Sequence, residues 1–434
     1  MGNNIKVGAK THKLFIISDV HLNNGLEGKN LDLNKKDRKL FEDFLTQINS
    51  ELNPDQKITL ILNGDIFDIT GSWHSSEPPW KNKNYNQARI DQLMLETIRS
   101  IFLNNSNIVL QLINFLSNPH ADLVYVIGNH DRLVGEFKCV QDFIRQELFR
   151  SAEHDLEHRI KFVDYYEDQE LGLYVEHGHR FDPFNISQTN QPALGDVINI
   201  MIVNQSVTLI AQKLEENNFD KALIDQIISS LSDIEYLRPL SLIPFWIESI
   251  ANIYCNKHEC LIQKQSIKEI FRHVVLQIQN NPWVTHYLAV QLKLPKLVVK
   301  LAMQLMLRVS FLLPTLSYII SKLLYRTHSN NFQSKMAHSI YKEKGSKMVV
   351  LGHTHIPTLK ALAHDSYYCN TGSWTPVINL FKYSEPEYSY TEYLVAQSEF
   401  KRIEHRGYLK LEKDLEDKNS KLKFSLETMQ SGWN

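Results

Sequence analysis

Five short apolar runs punctuate the chain, each stopping at a cluster of polar residues: Leu14–Ile17, Ile58–Leu62, Leu123–Ile127, Leu171–Val175 and Met348–Leu351. They are rich in β-branched or aromatic residues, have strand length, and are bounded by Gly, Asn or Asp, so each is predicted to be a buried strand. Between them, Arg38–Ser50, Gln87–Leu103 and Val140–Phe149 repeat their apolar residues at helical spacing. Strands alternating with helices predict an α/β architecture with a largely parallel sheet. Tyr367–Asn370, Val377–Lys382 and Tyr388–Gln397 read as further strands, forming a second sheet at the end of the domain.

The stretch 185–345 has another pattern. It carries helical periodicity without strand signals, broken at Pro239, Pro244, Pro282, Pro295 and Pro314. It is predicted to be a helical insertion, a lid or cap, between residues 10–184 and 346–400, which together form one domain. Residues 401–434 read as a charged, peripheral C-terminal tail. Two parts of the insertion are unusually apolar. Val197–Gln212 holds no charge, and Leu297–Tyr325 is apolar over most of its length, interrupted by Lys300, Arg308, Pro314 and Lys322. A bilayer span needs about 20 apolar residues, and neither stretch qualifies. A buried helical core is the plain expectation. A lid that accepts acyl chains or makes peripheral contact with a membrane is the alternative.

Composition narrows the partners. With 47 basic and 49 acidic residues the net charge is −2, so no global field draws nucleic acid and none is predicted as a partner. Four scattered cysteines fit idle thiols in a reducing compartment. Cys255 and Cys260 flank His258, but two thiolates without a second pair rarely close a structural zinc site. The run Leu14–Ile17 is too short for a signal peptide, and Lys6 stands where myristoylation of Gly2 would need Ser or Thr. The expected location is cytoplasmic, with membrane association as the variant that a lipid-facing insertion would bring.

Each of the five apolar runs ends in potential metal ligands. Asp19 and His21 follow the first, Asp65 the second, Asn129, His130 and Asp131 the third, His177 the fourth, and His353 and His355 the fifth. In parallel α/β sheets the loops beyond the carboxyl ends of the strands converge on one crevice. Oxygen and imidazole donors without thiolate suit Mn, Fe or Zn. Asp19, His21, Asp65, Asn129, His177, His353 and His355 are too many for one tetrahedral ion; they fit two divalent ions sharing a carboxylate, about 3.5–4 Å apart. Residues i and i+2 of an extended segment face the same way, which on its own would put His353 and His355 on one ion.

The ordered motifs are Asp19-Val-His21, Gly64-Asp65-Ile-Phe-Asp68, Gly128-Asn129-His130-Asp131, His177-Gly-His179 and Gly352-His353-Thr-His355. Together they resemble the calcineurin-like metallophosphoesterase superfamily over roughly residues 10–185 and 345–400. The resemblance implies a two-sheet αββα metallophosphoesterase sandwich, here with a large all-helical insertion, and a dinuclear centre in which manganese is the expected metal. It assigns Asp19, His21 and His355 to one ion and Asn129, His177 and His353 to the other, with Asp65 bridging. This overrides the i, i+2 argument. It makes His130 a catalytic proton donor or charge stabiliser rather than a ligand, with Asp131 orienting its ring and Asp68 supporting the site from behind. Of the pair in His177-Gly-His179, His177 directly follows the strand and is preferred as ligand. His179, Arg180 and Asp182 open the loop toward the insertion. Arg132, His179, Arg180 and Trp374 are the candidate substrate contacts, and Trp374 could alternatively pack the second sheet. Trp73 and His74 lie on a loop that could form the rim.

The implied activity is hydrolysis of a phosphomonoester, phosphodiester or pyrophosphate bond on a small-molecule or lipid-linked substrate. A helical lid before the last motif, and Gly64-Asp65-Ile-Phe67-Asp68, are similar to bacterial UDP-2,3-diacylglucosamine pyrophosphatases. The chain departs from them at His130, where they carry Arg, and at His179, where they carry Asp. A non-catalytic scaffold on the same fold is the alternative class; such proteins lose ligands, and this chain keeps the full set.

Overall fold

The computed structural model describes residues 10–25, 35–51, 53, 56–72, 85–149, 157–182, 185, 205–232, 236–238, 330–379, 403–417 and 422–429, with positions 269, 276, 289, 295–298 and 300–301 besides. Its first sheet starts with β1 (Thr11–Ile17), β2 (Gln56–Asn63), β3 (Ala121–Val126) and β4 (Ile160–Val163), parallel neighbours in that order. The second sheet runs β5 (Tyr165–Asp168), β6 (Leu173–Glu176), β8 (Met348–Val350), β10 (Ser366–Asn370) and β9 (Thr358–Ala363). Here β6, β8 and β10 are parallel, and the two outer strands antiparallel.

Strand periodicity builds the layers. Successive side chains point to opposite faces. Leu14 and Ile16 therefore meet Val124, Val126, Leu173, Val175, Met348 and Val350 in a core between the sheets. Phe15 and Ile17 point the other way, into a cluster with the helices α1 (Lys35–Ser50), α2 (Gln87–Asn104), α3 (Ser106–Ser117), α4 (Arg132–Glu136) and α5 (Lys138–Leu148). The outer face of the second sheet offers Tyr174, Val349, Leu351 and Tyr368 to Ala337 and Ile340. The layers are thus helix, sheet, sheet, helix. Strands buried on both faces read as continuous apolar runs, which is why β1, β2, β3, β6 and β8 were visible in the sequence.

The expectation of a peripheral tail after residue 400 does not hold. β12 (Ile403–Asp414) pairs antiparallel with β1, matching Leu14 to Leu411 and Ile16 to Leu409. β13 (Lys423–Thr428) pairs in turn with β12, and β11 (Gly372–Asn379) joins this first sheet rather than the second. Between 185 and 345 the described helices are α6 (Gln205–Glu216), α7 (Lys221–Ser232) and α8 (Asn330–Lys344), the last of which supplies Ala337 and Ile340. The segment is not wholly helical, because β7 (Leu237–Arg238) pairs with β11. Half of Val197–Gln212, most of Leu297–Tyr325, the Cys255–Cys260 pair, Trp73 and His74, and the expected strand Tyr388–Gln397 lie outside the described residues. Among those described, no helix is long and apolar enough to cross a membrane.

Candidate metal centre

The polar residues that follow β1, β2, β3, β6 and β8 gather at the carboxyl edges of the two sheets, where diverging loops leave a crevice. Backbone bonds tie the loops to one another. Asp19 N–H donates to Gly64 O at 3.1 Å, His21 N–H to Asp65 O at 2.9 Å, and Gly352 N–H to His177 O at 2.8 Å. Two carboxylates take part: His130 N–H donates to Asp65 Oδ1 at 2.8 Å and His353 N–H to Asp19 Oδ2 at 3.1 Å.

The backbone is strained where the ligands sit. Asp19, His21, Asp65, His353 and His355 all have φ between 54° and 69°; among the described non-glycine residues only Asn218 shares this conformation. Each such residue costs on the order of 1–3 kcal/mol and persists only where its surroundings impose it. The left-handed turns explain why His353 and His355 part company. The chain between them is not extended, so the i, i+2 rule fails. Gly64, at φ 77°, could not carry a side chain: a Cβ there would stand 2.5 Å from the His177 ring.

Three clusters of donors result, each with its ligand atoms within 4.8 Å of one another: Asp19, His21 and His355; Asp65, His177 and His353; and His21, Asp68 and His130. His355 Nε2 lies 3.1 Å from Asp19 Oδ1 and 3.2 Å from His21 Nε2, and His177 Nε2 lies 3.1 Å from Asp65 Oδ2. Asn129 is buried just beyond β3.

The donor set fits divalent cations. Asn129 Oδ1 is buried without a hydrogen-bond partner, and Asp19 Oδ1 and His177 Nε2 are buried against fellow donors of the clusters, His355 and Asp65. Buried polar groups are normally satisfied, so these atoms fit ligands of an ion. His177 Nδ1 donates to Asn63 O at 2.8 Å, which fixes its tautomer and leaves Nε2 for coordination. The electrostatics agree. Burial pushes the Asp65 carboxyl upward, but the neighbouring His177, His130 and His21 outweigh it and hold it well below the usual carboxylate range. Burial pulls His177 down, yet Asp65 and Asp19 raise it to about 10. Carboxylates that stay ionised while forcing charge onto a buried imidazole are asking for a cation. His21, lowered to about 4 by burial and then by His130, is held in the neutral form that binds metal.

The structure corrects the role expected of Asp131 beside His130. Its Nδ1 lies 2.9 Å from Asp68 Oδ1, so Asp68, not Asp131, orients the ring. Asp131 is fully buried and faces away, accepting from Tyr125 Oη at 2.6 Å, Ile66 N at 2.9 Å and Gly128 N at 2.6 Å. It staples the two turns that carry Asp65 and Asn129. Burial and the Asp65 charge push its carboxyl up to about 6.

Of the candidate substrate contacts, Trp374 is removed. It is 1% exposed and packs on Phe41 and Phe44 in the helix-facing core of the first sheet, not in the second. Arg132 is also buried, with Glu136 3.4 Å away. Arg180 is half exposed but tied to Glu176 Oε1 at 2.6 Å. His179 lies beside His177, the rings tilted with centres 5.5 Å apart, and burial followed by the charges of His177 and His353 drives it well below the ordinary histidine value.

Other residues at the site carry no motif. Gln333 donates to Gly352 O at 2.9 Å, Asn370 donates to the same carbonyl at 2.9 Å, and Asn185 lies 3.3 Å from His353 Nε2. Their only trace in the sequence is an amide within a helix, a strand or a loop, which singles out nothing.

No protein in the curated comparison matches this chain. The family model for calcineurin-like phosphoesterases matches residues 12–357, from within β1 to just past His355, and so takes in every donor of the three clusters. The chain belongs to the calcineurin-like phosphoesterase family, metal-dependent hydrolases of phosphoester bonds.

Proposed function

We propose that the chain hydrolyses a phosphomonoester, phosphodiester or pyrophosphate bond of a small or lipid-linked substrate, using two divalent ions, with manganese the expected metal. Asp19, His21 and His355 would hold one ion, Asn129, His177 and His353 the other, and Asp65 both. The observation that supports this most is the pair of His/Asp clusters, Asp19–His21–His355 and Asp65–His177–His353, five of whose six residues are left-handed and stand just beyond three strand ends. When bound, such a pair makes water acidic enough to supply a nucleophile near neutral pH and screens the phosphoryl oxygens.

The chain's own residues supply the rest. Asp68 holds the Nδ1 edge of His130, leaving Nε2 to meet the substrate. A protonated His130 donates a hydrogen bond to the phosphoryl group or a proton to the departing oxygen.

An amphiphilic substrate is supported by apolar side chains that lie open in the 185–345 segment: Leu297 is 68% exposed, Leu301 55% and Val298 44%. This reading goes with a cytoplasmic enzyme that touches membrane peripherally.

The decisive experiment loads the purified protein with Mn²⁺ and assays phosphomonoesters, an aryl phosphodiester, nucleotide sugars and nucleotide-linked lipids, each with and without vesicles. Turnover of at least one class is expected, with Asp65→Asn folded but inactive. Full activity in Asp65→Asn would overturn the assignment of the site. Two bound ions with no turnover of any class would favour a scaffold role, and indifference to vesicles would remove the lipid reading.

A further inference from the structure

The metal loop Gly352-His353-Thr354-His355 is held at both roots of the 185–345 segment, by Asp182 and Asn185 where the chain enters it and by α8 where the chain leaves it. At the first root, Asp182 Oδ2 lies 3.0 Å from His353 Nε2, and Asn185 Nδ2 donates to the same carboxylate oxygen at 2.8 Å. At the second, α8 presents Gln333, which is 3% exposed. Its amide nitrogen donates to Gly352 O at 2.9 Å, and its amide oxygen accepts from Tyr368 Oη at 2.7 Å, Thr354 Oγ1 at 3.3 Å and Asn370 Nδ2 at 3.3 Å. One root therefore holds the His353 ring, and the other holds the Gly352 carbonyl before it and the Thr354 hydroxyl after it.

This matters because the loop is held in an unfavourable shape. His353 has φ 69° and His355 φ 61°, and such residues keep that conformation only where neighbours impose it. The Asp182 carboxylate accepts a proton-bearing Nε2, which leaves Nδ1 of His353 as the nitrogen able to serve Asp65 and His177. A carboxylate behind a metal-binding imidazole fixes both its tautomer and its angle. His355 receives its neighbours from elsewhere: Asp19 and His21, both on the loop after β1.

We infer that Asp182, at the entry to the 185–345 segment, and Gln333, within it, are positioning residues that set His353 for the Asp65–His177 side of the centre, so that the two roots of the segment control one of the two ions and not the other. The inference rests on the dinuclear centre proposed above. It also gives the segment a role beyond covering the site: whatever displaces either root loosens that ion first.

The test is Mn²⁺ binding by the full chain, followed by calorimetric titration and by electron paramagnetic resonance, which separates a coupled Mn pair from a single ion. Asp182→Ala and Gln333→Leu are each expected to weaken one of two Mn²⁺ ions by about 10–100-fold, leaving the other within about twofold and replacing the pair signal by that of a lone ion. Asp182→Asn, whose amide oxygen can still accept from Nε2, should recover most of the loss; if Gln333→Leu fails to fold, Asn185→Ala provides the second readout. Equal weakening of both ions, or wild-type affinity for both, overturns the inference while leaving the centre itself intact. A wild-type protein that binds no Mn²⁺ overturns the centre and the inference together.

Discussion

Asp68 Oδ1 sits 2.9 Å from His130 Nδ1, and the same carboxylate oxygen accepts from Gly71 N at 2.7 Å. The acid is therefore fixed by its own turn before it fixes the histidine. Burial raises the Asp68 carboxyl, but the His130 charge and hydrogen bond outweigh it and keep it ionised. An ionised partner keeps the proton on Nδ1 and stabilises the imidazolium form that donates.

It follows that His130→Ala should lower turnover by roughly 10²–10⁴-fold, the range for a lost proton donor, while both metal ions remain. Asp68→Ala should fall inside the same range, and the double variant should be little worse than His130→Ala, because residues acting as one unit are not additive. Steady-state rates and metal content of the three variants decide it. Multiplied rate losses would show that the two act separately.

The miss at Asp131 shows where sequence reasoning runs out. Asp131 is His130's neighbour in the chain, and the motif encourages pairing them, yet the turn points the two side chains apart. The partner comes from Asp68, on the loop after β2. What could be read were strands buried on both faces and the donors that end them, since both are local. β12 escaped because Lys410, Lys413, Glu412 and Asp414 look like a solvated tail. Alternate residues Leu409 and Leu411 are nevertheless fully buried, and Lys410 reaches Glu51 at 2.9 Å. Gln333 and Asn185 are uncharged amides whose importance depends on distant partners, so no local pattern reveals them.

Asp131 should instead report on stability. Three donors converge on it within a dry site, and a buried hydrogen bond to a charged group is worth about 1.5–3 kcal/mol net. Asp131→Ala leaves the Ile66 and Gly128 amides and the Tyr125 hydroxyl unsatisfied, so a loss of about 3 kcal/mol or more is expected. Urea unfolding of the metal-free protein measures it. A change under about 0.5 kcal/mol, the scale of ordinary surface substitutions, would mean the staple is dispensable.

Ending the chain at residue 402 should prevent folding, although every proposed metal ligand lies before that point. The cut removes β12 and β13, uncovers the long edge of β1, and strips Leu409 and Leu411 from the core between the sheets. An exposed apolar strand edge pairs with other chains, so insoluble protein is the expected outcome on expression. A soluble truncated chain with full Mn²⁺ binding would contradict the placement of β12.

The last prediction concerns pH. His12 lies in β1, away from the metal cluster, with Nε2 2.9 Å from Thr59 Oγ1. Burial, reinforced by the Lys57 charge, lowers it to about 4 from an ordinary 6.5, against weaker opposition from Asp168 and Asp122. The folded state therefore resists protonation that the unfolded chain accepts. Because the unfolded state binds more protons between those two values, stability is complete above the unfolded value and declines as pH falls toward the folded one. From about pH 7.5 to about pH 5 the loss attributable to this one side chain is about 2 kcal/mol. His12→Gln keeps an amide able to bond Thr59 but cannot titrate, so it should lose less stability than the wild type over that interval. Other buried histidines respond equally in both proteins and cancel in the difference. Parallel unfolding curves at both pH values would show that His12 is solvated in the folded protein and would remove it as a source of acid sensitivity.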